Sequence, residues 1–323
     1  MRNRYVLHAL LTLMLALVSA HAIGQPWPSK PVRVLVGFAP GTGVDTATRI
    51  VAEGLSKRLG QPFVVENRSG ASGTIAAALA ARAPADGYTL LGASTSLTSV
   101  SAITKDLPFD LRKDLAGVTT ISAYSFVLVA APSKGWKSLQ QMIAAAKASP
   151  QPITFASSGF GTTPHFATEK FRLAAGFEAL HVPFKSVTEA LTEVMSGRID
   201  ILLIPPSGGL PFIRDGKLVP LAMTSSQYSP IPNVPSMQDL GIANEGCCSV
   251  WTGLLVPSKT PGAIVNRLHE EVVKVLEMPE YKERLLRTGG TLRTMMPEEF
   301  DALIQKEISL FDEISKALNT QLR

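Results

Sequence analysis

The chain has 323 residues, 46% of them hydrophobic and 7% aromatic, with a formal net charge of +5. That length suffices for two domains with sizeable cores. The charge, part of which comes from Arg2 and Arg4, is too small and too scattered to imply a nucleic-acid partner, and no basic-aromatic stripe supports one. The five histidines lie far apart without ligand spacing, so neither a metal nor a cofactor is expected.

Arg2 and Arg4 precede an apolar run from Val6 to Val18, followed by Ala20-His21-Ala22. This reads as a signal peptide over residues 1–22, cut after Ala22. The apolar run is shorter than the roughly 20 residues a membrane-spanning helix needs. Export is therefore expected.

Val32 to Val36 is a short β-branched and aliphatic run, the pattern of a strand covered on both faces. Pro40, Gly41 and Gly43 break it, Asp45 suits a first helical turn, and Ala47, Ile50, Val51 and Leu55 recur at helical spacing. Phe63 to Glu66 reads as the next strand, Ile75 to Ala83 as an alanine-rich helix, and Tyr88 to Leu91 as a third strand ending in Gly92-Ala93-Ser94-Thr95-Ser96. This β-α-β-α-β order predicts an α/β protein with a parallel sheet flanked by helices.

Phe126 to Ala130 continues as a strand and Leu139 to Ala148 as a helix stopped by Pro150. Ile153 to Ala156 then leads into a second glycine-rich turn, Ser157 to Thr163, with Pro164 opening a helix capped by Thr163. Strands are expected at Leu180–Phe184, Ile199–Ile204, Leu218–Met223 and Cys247–Val256. Helical stretches are expected at Val187–Met195, Leu210–Arg214, Pro261–Leu276, Glu280–Arg287 and Glu298–Asn319. A strand, a glycine-rich turn and a helix thus recur once in each half, which predicts two domains of like architecture. The adjacent Cys247 and Cys248 read as small buried residues of a strand, since a disulfide between neighbours would be a strained ring.

A strand that feeds a helix through glycines leaves the first helical N–H groups open to a ligand, and such a site attracts anions without a charged side chain. Gly41-x-Gly43-x-x-Thr46 nearly fits a dinucleotide fingerprint, with Glu66 about 20 residues on. Thr46 replaces the third glycine, however, and Asp45 would repel the pyrophosphate. In Ser157 to His165, Ser158 and His165 allow a hydrolase reading, though no G-x-S-x-G turn is present. The dipole at this helix start favours a neutral His165, which either donates to a ligand or simply packs. Two anion-ready turns on two domains predict one ligand held between them by Thr42, Thr162 and backbone N–H groups, with Gly43 where a side chain would block approach.

The blocks WPSKPVRVLVGFAPGTGVD, GQPFVVENRSGASGT, ADGYTLLGAS, LPFDLRKDL, ITFASSGFGTTPHFATEKF, HVPFKSVTEAL and SVWTGLLVPSKTP, in this order over nearly the whole mature chain, resemble the Bug receptors, periplasmic solute-binding proteins of tripartite tricarboxylate transport systems. The resemblance implies a type II periplasmic binding fold: two domains, each a mostly parallel sheet flanked by helices, joined by a hinge. It implies domain one at 25–124 and 249–323, domain two at 125–248, and a hinge near Ser125–Ala130 and Cys247–Trp251. A non-enzymatic receptor follows, which passes a small carboxylate to a membrane transporter. The ligand-gripping loops map onto Phe38, Pro40, Gly41, Thr42, Gly43 and Asp45, and onto Ser158, Gly159, Gly161, Thr162, Thr163 and His165, with Ser94 in a third cleft segment. The rivals are an exported serine hydrolase using Ser158 and His165, and a sensor subunit for a membrane kinase.

Overall fold

The computed structural model describes residues 27–225, 231–242, 249–288 and 290–317. The expected signal peptide and the Cys247-Cys248 pair lie outside the described residues. The first part of the chain runs β1 (Val32–Val36), α1 (Gly43–Leu59), β2 (Phe63–Asn67), α2 (Thr74–Ala81), β3 (Thr89–Ser94), α3 (Thr95–Ile103), α4 (Leu111–Asp114) and β4 (Leu115–Ser125). The middle part runs β5 (Val127–Ala130), α5 (Leu139–Ala148), β6 (Ile153–Ser157), α6 (Thr163–Ala175), β7 (Ala179–Pro183), α7 (Val187–Met195), β8 (Ile201–Ile204), α8 (Pro206–Arg214) and β9 (Val219–Met223). The last part runs β10 (Ser249–Pro257), α9 (Gly262–Glu277), α10 (Pro279–Leu286), β11 (Thr291–Leu292) and α11 (Pro297–Ala317).

These strands form two sheets, ordered β11-β4-β10-β3-β1-β2 and β7-β6-β8-β5-β9. β1 pairs parallel with β2 and β3, as the crossover helices between them require, and β6 does the same with β7 and β8. One strand in each sheet, β10 or β5, runs antiparallel to both neighbours. The outer neighbour then points the same way as the parallel set, so strand directions are mostly parallel in both sheets. The short β11 is antiparallel to β4 as well.

Successive side chains of a strand face opposite sides, and both sides are covered here. Val32 and Val34 of β1 pack with Ile50, Val51 and Leu55 of α1 and with Leu268, Val272 and Val275 of α9. Leu35 faces the other way, toward Ala76 and Ala80 of α2 and Phe300, Ile304 and Ile308 of α11. In the second sheet, Leu128 and Phe155 meet Met142 of α5 and Phe171 of α6, while Val127 and Val129 meet Ala190 and Val194 of α7. This double burial is why β5, and β1 apart from its exposed Arg33, read as apolar runs rather than as alternating ones.

Four elements are absent from the sequence reading: β4, α3 and the short α4 and β11. β4 follows no apolar pattern because it is rich in hydroxyls; the fold satisfies its two central threonines individually, while the buried Ser125 hydroxyl has no hydrogen-bond partner. Thr119 Oγ1 donates to the Met295 carbonyl at 2.9 Å and Thr120 Oγ1 to that of Arg293 at 2.6 Å. α3 begins directly at the end of β3, where the sequence suggests only a glycine-serine loop; its Leu97 and Val100 join the core that includes Ile304 of α11.

The chain passes from one sheet to the other between Ser125 and Val127 and returns at β10, whose Ser249 and Val250 pair with Ser125 and Tyr124. Val250 and Tyr124 pack into the second sheet's core although their strands belong to the first. Phe126 is pinned at the crossing by its N–H to Thr224 Oγ1 at 3.0 Å and its carbonyl to Thr224 N at 2.9 Å. Ile103 of α3, Phe166 of α6 and Phe311 of α11 form a smaller cluster that spans helices of both sheets.

Candidate functional site

Two loops of like construction lead from β1 into α1 and from β6 into α6. In the first, Gly41 adopts φ +83° and Thr42 caps the helix, its hydroxyl donating to the Ala39 carbonyl at 2.8 Å. In the second, Gly161 adopts φ +77° and Thr162 holds the N-cap position without a side-chain cap bond, its hydroxyl donating to the Gly159 carbonyl at 2.8 Å. The N–H of each glycine then goes to the side chain four residues on: Gly41 to Asp45 Oδ2 at 2.9 Å, Gly161 to His165 Nδ1 at 3.2 Å. The N–H groups of Gly43 and Val44 at the start of α1, and of Thr163 and His165 at the start of α6, take no partner among the described residues. Helix starts of this kind attract negative groups.

Asp45 was expected beside the ligand; its carboxylate is engaged by Gly41 of its own loop and by residues of β2 and α1. It is buried, accepting from Gly41, from Asn67 Nδ2 at 2.7 Å and from Arg49 Nε at 3.0 Å, while Asn67 Nδ2 also bonds the Phe38 carbonyl at 2.9 Å. Burial pushes its pKa up, and the hydrogen bonds from Arg49, Asn67 and Gly41 outweigh that and hold it below the usual carboxylate range. Asp45 therefore shapes the loop. Its charge is matched by Arg49 and adds no net repulsion. Phe38 lies against Gly73, whose backbone approaches Gly37 so closely that a Cβ on Gly37 would come within 2.4 Å of the Gly73 Cα. The turn Ala71–Gly73, which in turn packs against α3, thus buttresses the first loop.

In the second loop the ring of His165 stacks on that of His181 from β7, with centroids 4.0 Å apart. Phe155 lies beside both rings, 4.8 Å from His181 and 6.2 Å from His165, and the partly exposed Phe160 lies 4.8 Å from His165. Burial, with contributions from His181 and Arg172, pushes the His165 pKa down to about 3, and burial pushes His181 down to about 4. Both rings are neutral at physiological pH, and because His165 Nδ1 accepts from Gly161, its proton resides on Nε2. The expectation of a neutral His165 holds, with burial as the larger cause. The Thr163 cap expected for α6 is displaced by one residue: Thr162 holds the N-cap position, and Thr163 is the first helical residue with a buried hydroxyl that has no protein partner.

Ser158 makes no hydrogen bond to His165 among the described residues. The serine that meets a histidine is Ser157, whose Oγ lies 2.7 Å from His181 Nε2. It is fully buried and also donates to the Gly159 carbonyl and accepts its N–H, so it serves the loop's shape. Among the described residues no group of His, Cys, Asp and Glu is placed to hold a metal.

α3 supplies the third segment. Ser94, buried at its N-cap position, pairs in register with Thr252 of β10. Ser99 Oγ, also bonded to the Ser96 carbonyl, reaches the Gly161 carbonyl at 3.1 Å, joining α3 to the loop of the other sheet. Behind this helix the buried Glu307 of α11 accepts from Thr98 Oγ1 at 2.8 Å and Trp251 Nε1 at 2.9 Å. Burial pushes its carboxyl up to about 7 against those two hydrogen bonds and the charge of Arg293. Sequence reasoning missed His181, Ser99, Glu307 and the Ala71–Gly73 turn. His181 alone had a local signal, a histidine at the head of the HVPFK block.

The chain matches the tripartite tricarboxylate transporter family receptor, TctC, over residues 47–320. It is 30% identical to the protein BugT of Bordetella pertussis over 309 residues, covering 95% of this chain and 94% of BugT. Among solved structures it resembles Rhodopseudomonas palustris Rpa4515 with adipate at 28% identity and a TM-score of 0.78, covering 90% of this chain and 97% of that one. It also resembles MatC of the same organism with bound malate at 27% identity and a TM-score of 0.75, covering 89% and 99%. These likenesses span both sheets and agree with the two-lobed binding-protein fold, and the matching proteins are solute receptors, not enzymes. The chain belongs to the receptor family of the tripartite tricarboxylate transporters.

Proposed function

We propose that this receptor captures a small carboxylate-bearing solute between two lobes, 25–124 with 249–323 and 125–248, and delivers it to the membrane subunits of a tripartite transporter. The lobes move about the crossing at Ser125–Val127 and the return at β10. The observation that carries this reading is the twin construction of the two loops, each presenting a helix start with a threonine at the N-cap position and open N–H groups. Each helix start contributes about 0.3–2 kcal/mol toward an anion, and each charge-assisted hydrogen bond roughly 1.5–3 kcal/mol. Together these reach micromolar affinity, about −8 kcal/mol, with no cation in the pocket.

Phe38, Pro40, Gly41, Thr42 and Gly43 would line one side, and Ser158, Gly159, Gly161, Thr162, Thr163 and His165 the other, with Ser94 at the base. A Cβ on Gly43 meets nothing within 4 Å, so a side chain there would project into open space where the ligand must approach. The partly exposed Phe160 offers apolar surface to the carbon chain of the solute. Relatives bound to malate and adipate direct attention to dicarboxylates. Among the described residues no helix is long and apolar enough to cross a membrane, and removal of residues 1–22 would release the mature chain, starting at Ile23, into the periplasm.

Calorimetry and melting curves with mono-, di- and tricarboxylates test the reading. A ligand at 100 times its dissociation constant adds about 2.7 kcal/mol of stability. Gly43→Val should abolish binding, and Thr162→Val, which removes the hydroxyl that holds the Gly159 carbonyl and so the shape of the loop, should weaken it by about 1–3 kcal/mol, both variants remaining folded. Stabilisation by neutral sugars and not by any carboxylate, or unchanged affinity in both variants, would overturn it.

A further inference from the structure

At the end of α3 away from the cleft lies a cavity of about 410 Å³, open to solvent and lined by Ser101, by residues of the segment 104–112 and by Ile308 of α11. This segment contains the LPFDLRKDL block, to which the cleft assigns no role. We propose that this cavity is a second binding site for a small carboxylate carrying a short apolar tail.

Three observations combine. Lys105 and Arg112 both line the cavity, and neither has a carboxylate partner among the described residues. Lys105 follows the C-terminal end of α3, where the helix dipole favours a cation. The Arg112 guanidinium is held by a single long contact to Ser309 Oγ at 3.4 Å, leaving most of its donors for a ligand. Ser101, also in the wall, has a buried hydroxyl with no hydrogen-bond partner, which a carboxylate oxygen would reach only after a small shift of the wall. Finally, Leu107 and the edges of the largely buried Phe109, Leu111 and Ile308 add apolar atoms to a lining that is otherwise mostly polar. A fork-shaped guanidinium and an ammonium in a mostly polar cavity suit a carboxylate head, and the few apolar side chains beside them leave contact for only a short aliphatic tail.

One acid lines the cavity, and its charge is already matched. Asp110 pairs with Lys113 Nζ at 2.9 Å and accepts the Arg112 N–H at 2.9 Å; the hydrogen bond from Lys113 is the largest influence holding its carboxyl below the usual range. The volume lies within the range of small-molecule sites, and the site shares no residue with the cleft loops.

The test uses ¹⁵N-labelled mature protein titrated with hexanoate and, separately, with hexanamide. The amides of Thr104, Lys105 and Arg112 should shift saturably with hexanoate, half-saturating near about 1 mM, and should not shift with hexanamide. Lys105→Met with Arg112→Met, two exposed positions, should weaken this response about tenfold. No saturable shift at these amides, an equal response to hexanamide, or a loss below about threefold in the double variant would overturn the proposal. The amides of Gly43 and Thr163 report the cleft separately, so failure at one site is distinguishable from failure at the other.

Discussion

His165 and His181 lie ring on ring at 4.0 Å, 23° from parallel, joined across the β6–β7 pairing rather than along the chain. Stacked imidazoles in a buried site cannot both carry charge, and here both are held neutral. In the unfolded chain each would titrate near its ordinary value of about 6.5.

The first prediction follows from that difference. Below about pH 6.5 the unfolded state binds more protons than the folded one, so stability falls as pH drops from 6.5 toward 4. At pH 5 His165 costs at most about 2 kcal/mol, from 1.36 kcal/mol per pH unit, and the less buried His181 costs less because solvent screens it. Urea midpoints of the parent and His181→Phe between pH 7.5 and 5 check this. The variant keeps an aromatic ring against Phe155 and should lose less stability than the parent on acidification.

Glu307 has the opposite sign. Its folded pKa is raised, so its contribution is intact below its unfolded pKa and is lost as pH rises through about 7. Glu307→Gln keeps an oxygen for Trp251 and Thr98 without the charge. It should match the parent at pH 4.5 and exceed it by about 1–3 kcal/mol at pH 8. A constant difference across that range would show that the carboxyl does not change ionisation on folding.

Asp45 should act as the brace of the first loop. Asp45→Ala leaves the Gly41 N–H and the Arg49 guanidinium without their acceptor, which should cost about 1–3 kcal/mol of stability and lower carboxylate affinity as the loop relaxes. Asp45→Asn retains an oxygen for Gly41 and should recover part of both. Chemical denaturation paired with calorimetry separates the two effects; full activity and stability in the alanine variant would refute the bracing role.

Ser99 supplies the hydroxyl that reaches the Gly161 carbonyl from the other sheet. Ser99→Ala should reduce affinity for the best-binding carboxylate about two- to tenfold, the size of one hydrogen bond, because the contact belongs to the approach of the two lobes. The denaturation midpoint of the free protein should barely change. Equal affinity in variant and parent would separate this contact from ligand binding.

Local patterns were legible along the chain wherever a short-range cause exists. Val32 to Val36 announces a strand covered on both faces, Pro164 and Gly176 bracket α6, and the twin strand, glycine turn and helix units announce two like halves. Capping, helical periodicity and the glycine turns all act within a few residues, so the loops Phe38–Asp45 and Ser158–His165 could be marked as candidates from the residues alone. The roles inside those loops were decided by partners remote in sequence. Asp45 turns inward because Asn67 arrives from β2, and Ser157 meets a histidine 24 residues away. Glu307 becomes a buried acid only because Thr98, 209 residues distant, and Trp251 close over it. β4 escaped detection since its threonines are satisfied by carbonyls of the 293–295 segment rather than by any pattern of their own. Periodicity reports which face of an element is buried; only the packed chain determines which polar groups lose water and which partner replaces it.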